Sequence, residues 1–362
     1  MSGTDLPCFF AFHGHIRDVC HAIGVFPAVK CHELTAHSDY ETPVAKNTGG
    51  AAIDSRGNEY DVSLEIKTTD PQSVNVEINR IYSDLYQGAS TEQFDQAFRD
   101  MALLYRGEFP GYHSCDTAYH DTQHVLDVTL AMARLINGYE RGRIGAQPMD
   151  ESLFRLGVIT ALFHDCGYVR ELSDHTHRNG AEFTFTHVSR GSHFLKEYLP
   201  KIGMVEMADI ASELIHYTGY EVAVANINVP APVYRLLGTM LGSADIIAQM
   251  ADRCYLEKCR DRLYPEFVVG GLATKRTSDG GEQVVFSSGL DLVMKTPEFF
   301  KGARNRLNVD LGASHSFAHG HFGGQNLYIE EIEKNIRFAE KIRADRENSA
   351  LLNRLAPNTL KK

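Results

Sequence analysis

Positive charge, paired cysteines and long uninterrupted apolar runs are all scarce in this chain of 362 residues. The formal net charge of −11 argues against a general binder of nucleic acid or anionic membrane, which would carry a basic surface. The seven cysteines form no CxxC pair, so we expect reduced thiols in a cytoplasmic protein rather than a disulfide framework. The first residues lack a basic segment and the apolar stretch after Pro7 is interrupted by His and charged residues, which predicts neither a signal peptide nor a membrane span.

Hydrophobic spacing divides the chain into three parts. Residues 1–88 contain turn signals and two stretches of alternating apolar and polar residues, Tyr60–Thr68 and Val74–Ile78, which predict strands in a small mixed α/β domain whose regulatory role stays open. Apolar residues recur every three to four positions over residues 89–347, a spacing that predicts an all-α domain. Residues 348–362 read as a polar tail. The expected fold class is therefore mainly α.

An apolar run of helical length from Val158 onwards ends on an adjacent imidazole and carboxylate, His164 and Asp165. Both groups are good ligands for a divalent cation. Two adjacent ligands cannot fill a coordination sphere, so this dyad predicts a metal site only if other helices supply further His or Asp side chains.

Such side chains occur on both sides of the dyad. A helix predicted over residues 117–137 places His120 and His124 one turn apart on one face. Asp245 lies inside an apolar helical run, where an ionised carboxylate is costly unless it is paired or metal-bound. His187 begins one predicted helix and His216 ends another, where each side chain can lean into a shared cleft. Alternatives stay open for each residue alone: a salt-bridged aspartate, or a histidine without ligand function.

Taken in order, the set resembles the HD superfamily of metal-dependent phosphohydrolases, which implies an HD-domain helical bundle. The segment from Tyr119 to Val128 is similar to the YHNxxHxxDV signature of class I 3′,5′-cyclic nucleotide phosphodiesterases, and Ser243-Ala244-Asp245 is similar to their HxAD element. The resemblance covers roughly residues 90 to 265. Three positions depart from the patterns: Asp121 replaces the Asn of YHN, Tyr168 replaces the last His of HDxxH, and Glu221 replaces the Pro of the GYP tripeptide of the HD-GYP branch.

The resemblance implies a role for each matching residue. His124, His164, Asp165 and Asp245 would bind a first metal, Asp165 would bridge to a second, and His187 and His216 match the additional ligands of a fuller two-metal site. His120 would be the general acid, so that His120 and Asp165 are the expected catalytic residues. The expected cofactors are two divalent metal ions, drawn from Mn, Fe, Zn or Mg.

The expected function is a metal-dependent phosphohydrolase that uses a metal-activated hydroxide, with a 3′,5′-cyclic nucleotide as the leading substrate. Arg190 and Gln249 are candidates for substrate binding, the second because it lies one turn after Asp245. Two alternatives remain: an HD hydrolase of another nucleotide (a cyclic dinucleotide, a guanosine polyphosphate or a nucleoside monophosphate), or a non-catalytic sensor of metal or nucleotide. The expected partner is a small-molecule nucleotide, with neither nucleic acid nor membrane, and a homodimer is left open.

Overall fold

The computed structural model describes residues 55–277 and 280–359, which fold almost entirely as helices. In these ranges the only sheet is an antiparallel hairpin of β1 (Thr274–Arg276) and β2 (Glu282–Val284). The mainly-α prediction is confirmed. The α-helices are α1 (Pro71–Leu85), α2 (Glu92–Arg106), α3 (Thr122–Gly142), α4 (Glu151–Leu162), α5 (His187–Tyr198), α6 (Ala208–Leu214), α7 (Pro232–Ala251), α8 (Tyr255–Lys258), α9 (Tyr264–Val269), α10 (Gly289–Asn305), α11 (Ala318–His321) and α12 (Leu327–Ala344).

The core is organised around α3, which packs against α4, α7 and α11. Buried residues occupy every face of α3 from Gln123 to Tyr139, because neighbouring helices cover it on all sides. Helix α7 is similarly buried over most of its length and carries Asp245 in its second half. The two helices that supply His124 and Asp245 are therefore central elements of the core rather than surface helices.

Helix α3 begins five residues later than the predicted start at residue 117. Asp121 is its N-cap, and its side chain accepts a hydrogen bond from the backbone N–H of His124 at 3.0 Å. His120 therefore precedes the helix, and the predicted placement of His120 and His124 on one helical face is wrong. At the other end, α3 continues to Gly142, five residues beyond the predicted end at residue 137.

The two strands predicted in residues 60–78 are also wrong. Asp61 collects the backbone N–H groups of Ser63, Glu65 and Ile66, which closes a turn, and only an isolated bridge joins Tyr60 to Lys67. The stretch Val74–Ile78 lies in α1, because Asp70 caps that helix and Pro71 occupies its first turn.

Residues 55–88 of the predicted N-terminal domain fold in one compact unit with the helices that follow. The rest of that predicted domain lies outside the described residues, and the division into domains stays a prediction. Residues 348–351, the start of the predicted polar tail, lie in a 3-10 helix (Arg346–Leu351), and Leu352 beyond it is buried. No helix in the part of the chain described is both long and apolar enough to cross a membrane.

A close backbone crossing between α3 and α11 generates a stability prediction. A Cβ atom added to Gly138 would lie 1.8 Å from the carbonyl oxygen of Phe317, whereas one added to Gly142 of the same helix would meet nothing within 4 Å. Gly138→Ala should therefore lower the free energy of unfolding by about 2 kcal/mol or more, because backbone must move to relieve the overlap. Gly142→Ala is the control and should leave stability unchanged or raise it slightly. Equal midpoints in urea denaturation would contradict this packing.

Candidate metal centre

Three buried side chains from two separate segments converge at the centre of the helical unit. The Nε2 atoms of His124 and His164 lie 3.4 Å apart, and each lies 3.2 Å from Oδ2 of Asp165. His124 comes from the first turn of α3, while the His164–Asp165 dyad follows the end of α4. All three residues are at least nine-tenths buried. The predicted association of His124 with the dyad is thus present in the structure.

Asp245 and His187 extend this cluster from two further helices. Oδ1 of Asp245 lies 3.6 Å from Nε2 of His124 and 3.7 Å from Nε2 of His164. Nε2 of His187 lies 3.8 Å from Oδ1 of Asp165, the oxygen that does not face the other two histidines. The two oxygens of Asp165 therefore face two different groups of ligand atoms.

Small residues allow these elements to approach. The dyad is followed by a 3-10 turn, Cys166–Tyr168, and a Cβ on Gly167 would lie 1.8 Å from the carbonyl oxygen of His187. Arg190, one turn into α5, donates to the carbonyls of Gly167 at 2.8 Å and Val169 at 3.1 Å. These hydrogen bonds join the turn after the dyad to the start of α5 and so place His187 beside Asp165.

Hydrogen bonds orient two of the imidazole rings. Nδ1 of His164 lies 2.8 Å from the carbonyl of Ala161, and Nδ1 of His187 lies 2.8 Å from the carbonyl of Thr184. A carbonyl accepts only, so the proton of each neutral ring is assigned to Nδ1 and the lone pair to Nε2. This outward hydrogen bond is the usual arrangement of a metal-binding histidine.

The three facing atoms, Nε2 of His124, Nε2 of His164 and Oδ2 of Asp165, are placed as ligands of a divalent cation rather than as hydrogen-bond partners. Oδ2 of Asp165 is buried and has no hydrogen-bond partner, so when both facing imidazoles are neutral its negative charge is uncompensated. Ligand atoms roughly 2.1 Å from a metal lie about 3.0–3.4 Å apart in octahedral or tetrahedral arrangements, and the observed separations from Asp165 to the two histidines are 3.2 Å. The donor set of imidazole and carboxylate suits Zn, Mn or Fe.

The electrostatics of the cluster favour positive charge at its centre. Burial lowers the pKa of His164, but the carboxylate of Asp165 outweighs burial and raises that pKa to about 9. Burial raises the pKa of Asp165, yet the positive charges of His164 and His120 hold it well below its usual range. The field that retains a proton here also attracts a metal cation, and the two compete for the same lone pairs.

His120 lies beside the cluster without joining it, with its ring centroid 5.8 Å from that of His124. Its Nδ1 is 2.6 Å from Oε2 of Glu266, and Oε1 of Glu266 accepts the backbone N–H of Tyr119 at 2.5 Å. Burial lowers the pKa of His120, but the carboxylates of Glu266 and Asp165 outweigh burial and raise it above its ordinary value. His120 is therefore a candidate proton donor.

Two residues of this arrangement, Glu266 and Tyr168, were not assigned a role from the sequence. Tyr168 stacks on His120 and on His187, with centroid distances of 4.3 Å in both cases. Glu266 carried no local signal, because it lies in α9, far along the chain from His120. Tyr168 was recognised only as a departure from HDxxH, and its aromatic ring fills the space between the two histidines.

Among the described residues, three other predicted site residues form neither a hydrogen bond nor an ion pair with the cluster of ligand atoms. Nδ1 of His216 is buried without a hydrogen-bond partner, and among the described residues no carboxylate oxygen lies within 4.0 Å of its ring nitrogens. Arg190 uses two of its nitrogens on backbone carbonyls and also lies over the ring of Phe183. Gln249 is half-buried one turn beyond Asp245. Ligand function for His216 and substrate binding by Arg190 and Gln249 stay predictions.

The competition between proton and metal generates a binding prediction. Because the pKa of His164 is raised to about 9, this ring carries a proton at neutral pH that metal binding must release. Zinc or manganese affinity should therefore rise by up to about tenfold per pH unit and level off near that pKa. Isothermal titration calorimetry in buffers of different ionisation enthalpy should detect the released proton.

Asp165→Ala should lose tight metal binding in the same titration, whereas Asp209→Ala, which removes a carboxylate that is 87% exposed, should bind like the wild type. Metal binding that is independent of pH, or that survives in Asp165→Ala, would contradict the assigned centre.

Comparison with known proteins gives little additional information. No family model matches the sequence, and no curated protein matches it. Among solved structures, the chain is similar to the phosphodiesterase domain of the RhoPDE fusion protein from the choanoflagellate Salpingoeca rosetta. The match has 11% sequence identity and a TM-score of 0.45, and covers 82% of this chain and 98% of the other. A likeness at this level carries no functional argument.

Proposed function

We propose that this chain is a metal-dependent phosphohydrolase that cleaves a phosphoester of a nucleotide, with a 3′,5′-cyclic nucleotide as the leading substrate. The observation that carries the proposal is the juxtaposition of a buried His/His/Asp cluster, extended by the half-buried Asp245, with a carboxylate-paired histidine, His120. A metal-binding sensor would use the ligand set alone. A hydrolase also uses a proton donor beside it, because the departing oxygen must be protonated.

A divalent cation bound by His124, His164, Asp165 and Asp245 would polarise the phosphate and lower the pKa of a water molecule towards neutrality. The protein's own contribution is to hold its four ligands rigidly and to keep the proton donor apart from them. His120 keeps its Nδ1 on Glu266, which leaves Nε2 for donation to a leaving oxygen. Glu266 in turn is held by the backbone N–H of Tyr119.

The pKa values of the two histidines that flank Tyr168 are shifted in opposite directions. The pKa of His120 is raised, whereas burial is the main cause that lowers the pKa of His187, with the nearby His120 charge adding to it. Environments that separate the pKa values of neighbouring groups commonly mark an acid and its non-acid partner. We assign His120 as the general acid and His187 as a neutral ligand.

A second cation is proposed on the other side of Asp165. Oδ1 of this residue faces His187 while Oδ2 faces His124 and His164, which is the disposition of a bridging carboxylate. His216, whose buried Nδ1 has no partner, is the proposed further ligand. Two cations held by these residues would supply positive charge for the attacking and leaving oxygens of a displacement at phosphorus.

The choice of a cyclic nucleotide rests on the Tyr119–Val128 segment and its similarity to the phosphodiesterase signature. The test is a panel of cyclic mononucleotides, cyclic dinucleotides, guanosine polyphosphates and nucleoside monophosphates, assayed with Mn, Zn, Mg and Fe(II). We expect turnover of a 3′,5′-cyclic nucleotide with product identified by chromatography. Turnover of another nucleotide instead would show that the proposed substrate class is wrong. Tight metal binding without turnover of any nucleotide in the panel would indicate a non-catalytic sensor.

Substitution of the proposed acid separates its role from metal binding. His120→Ala should retain the metal content of the wild type and lose turnover by about 10²-fold or more, the usual loss for a general acid. His193→Ala, which removes a histidine that is 74% exposed, is the matched control and should leave turnover and metal content unchanged. Loss of metal in His120→Ala would mean that ligand and acid are wrongly assigned.

The Glu266 carboxylate predicts a pH effect. A general acid must be protonated, so kcat should fall as pH rises through the raised pKa of His120. Glu266→Gln removes a charge that raises this pKa, so the alkaline limb of the pH–kcat profile should move to lower pH. A limb that stays in place or moves upward would contradict the assignment.

A further inference from the structure

Asp121, the residue that departs from the Asn of the YHN pattern, joins the proposed site to a distant part of the chain. It is 1% exposed and its carboxylate accepts three hydrogen bonds. Oδ1 accepts from the backbone N–H of His124 at 3.0 Å, and Oδ2 accepts from Nη1 of Arg262 at 3.2 Å and from the hydroxyl of Thr359 at 2.8 Å. Asp121 thus caps the start of α3 through Oδ1, while Arg262 and Thr359 hold its Oδ2.

Arg262 extends the connection to residues 352–359, here called the strap. Its Nη2 donates to the carbonyl of Ala356 at 2.9 Å and to that of Pro357 at 2.5 Å. The strap is attached at earlier points as well: Arg260 donates to the carbonyl of Leu352 at 2.9 Å, Asn58 donates to that of Leu355 at 3.1 Å, and the backbone N–H of Arg354 donates to Glu257 at 3.2 Å. These contacts hold the strap along its length and place Thr359 against Asp121.

The same helical region contacts both sides of the proposed general acid. Arg262 lies in a π-helical turn, Cys259–Leu263, and Glu266 lies four residues later in α9. Glu266 holds His120 and the N–H of Tyr119, while Arg262 holds Asp121. Three consecutive residues, 119 to 121, are thereby held from one continuous helical segment, formed by the π-helical turn and α9. Turns of π-helix are frequently found at functional sites.

We propose that Thr359 and Arg262 are positioning residues: the strap locks the carboxylate of Asp121, and this lock holds His120 in line with the ligands that begin on α3. The kinetic consequence rests on the proposed function, whereas the structural consequence does not.

The chemistry of the contacts explains why a carboxylate stands at position 121. A guanidinium has only donors, so Oδ2 must accept from Arg262. The amide of an asparagine could keep one acceptor for the N–H of His124, but its NH₂ group would then face the guanidinium of Arg262 as donor against donor. Asp121→Asn should therefore lose the hydrogen bond from Arg262 although its shape is unchanged, and keep only a contact in which the Thr359 hydroxyl accepts from the amide.

The test uses three full-length variants of the strap. Thr359→Val removes the hydroxyl and keeps the shape, Thr359→Ser keeps the hydroxyl, and Asn353→Ala changes an exposed strap residue as the control. We expect Thr359→Val to lower kcat roughly fivefold, the effect of losing one hydrogen bond, with KM and metal content unchanged. Thr359→Ser and Asn353→Ala should match the wild type, and this rescue by Ser is not expected if the side chain only fills space.

Hydrogen–deuterium exchange provides a readout that needs no substrate. Amides of residues 117–126 should exchange several-fold faster in Thr359→Val and in Asp121→Asn than in the wild type or in Asn353→Ala, because their anchoring is weakened. Unchanged exchange in Thr359→Val would overturn the proposal whatever the enzyme does. Faster exchange in a protein whose wild type hydrolyses no phosphoester would uphold the lock and refute the proposed function instead.

Discussion

A buried carboxylate oxygen that faces two imidazole nitrogens without receiving a hydrogen bond is the constraint on which this structure depends. Oδ2 of Asp165 lies 3.2 Å from Nε2 of both His124 and His164. Lone pairs at such a distance repel unless a cation lies between them, and an unpaired buried charge costs several kcal/mol. A proton on His164 relieves this repulsion, which is why the pKa of His164 is raised, and a divalent cation relieves it more fully. The rest of the helical unit is arranged so that the atoms cannot move apart.

Two features of the helical unit accompany this cluster: close approach of backbone segments at glycines, and a buried ion pair on another side of α3. Gly167 allows the turn after the dyad to abut the first residue of α5, and Gly138 allows α3 to be crossed tightly by the segment around Phe317. Arg134, which is 2% exposed, pairs with Asp61 at 2.6 Å on the side of α3 that packs against the segment before α1. Such a pair contributes little net stability, but it leaves no buried charge unpaired and so adds no second attractive site for a cation.

The acid and the ligands are chemically distinct although the ring centroid of His120 lies only 5.8 Å from that of His124 and 6.4 Å from that of His187. His120 and His187 are both imidazoles, and the structure separates them by what each Nδ1 contacts. A carboxylate contacts His120, a backbone carbonyl contacts His187, and Tyr168 stacks between these two rings. The charge of the carboxylate raises one pKa, whereas burial lowers the other. One residue type therefore serves two roles through its surroundings alone.

The sequence by itself was sufficient to predict the mainly-α fold, the dyad at the end of a core helix, and the need for a partner to Asp245, because helical periodicity and buried carboxylates are local signals. It misplaced the start of α3, since the capping preference of Asp121 acts over one turn that hydrophobic spacing does not resolve. It also read Val74–Ile78, which lies within α1, as a strand, because a short alternating stretch fits both a strand and a helix. The cap by Asp70 and the proline at position 71 favour the helix. Only the tertiary structure brought Glu266 to His120 and Thr359 to Asp121. Those contacts join residues 146 and 238 positions apart, and no local pattern encodes a hydrogen bond whose partners meet only after the chain has folded.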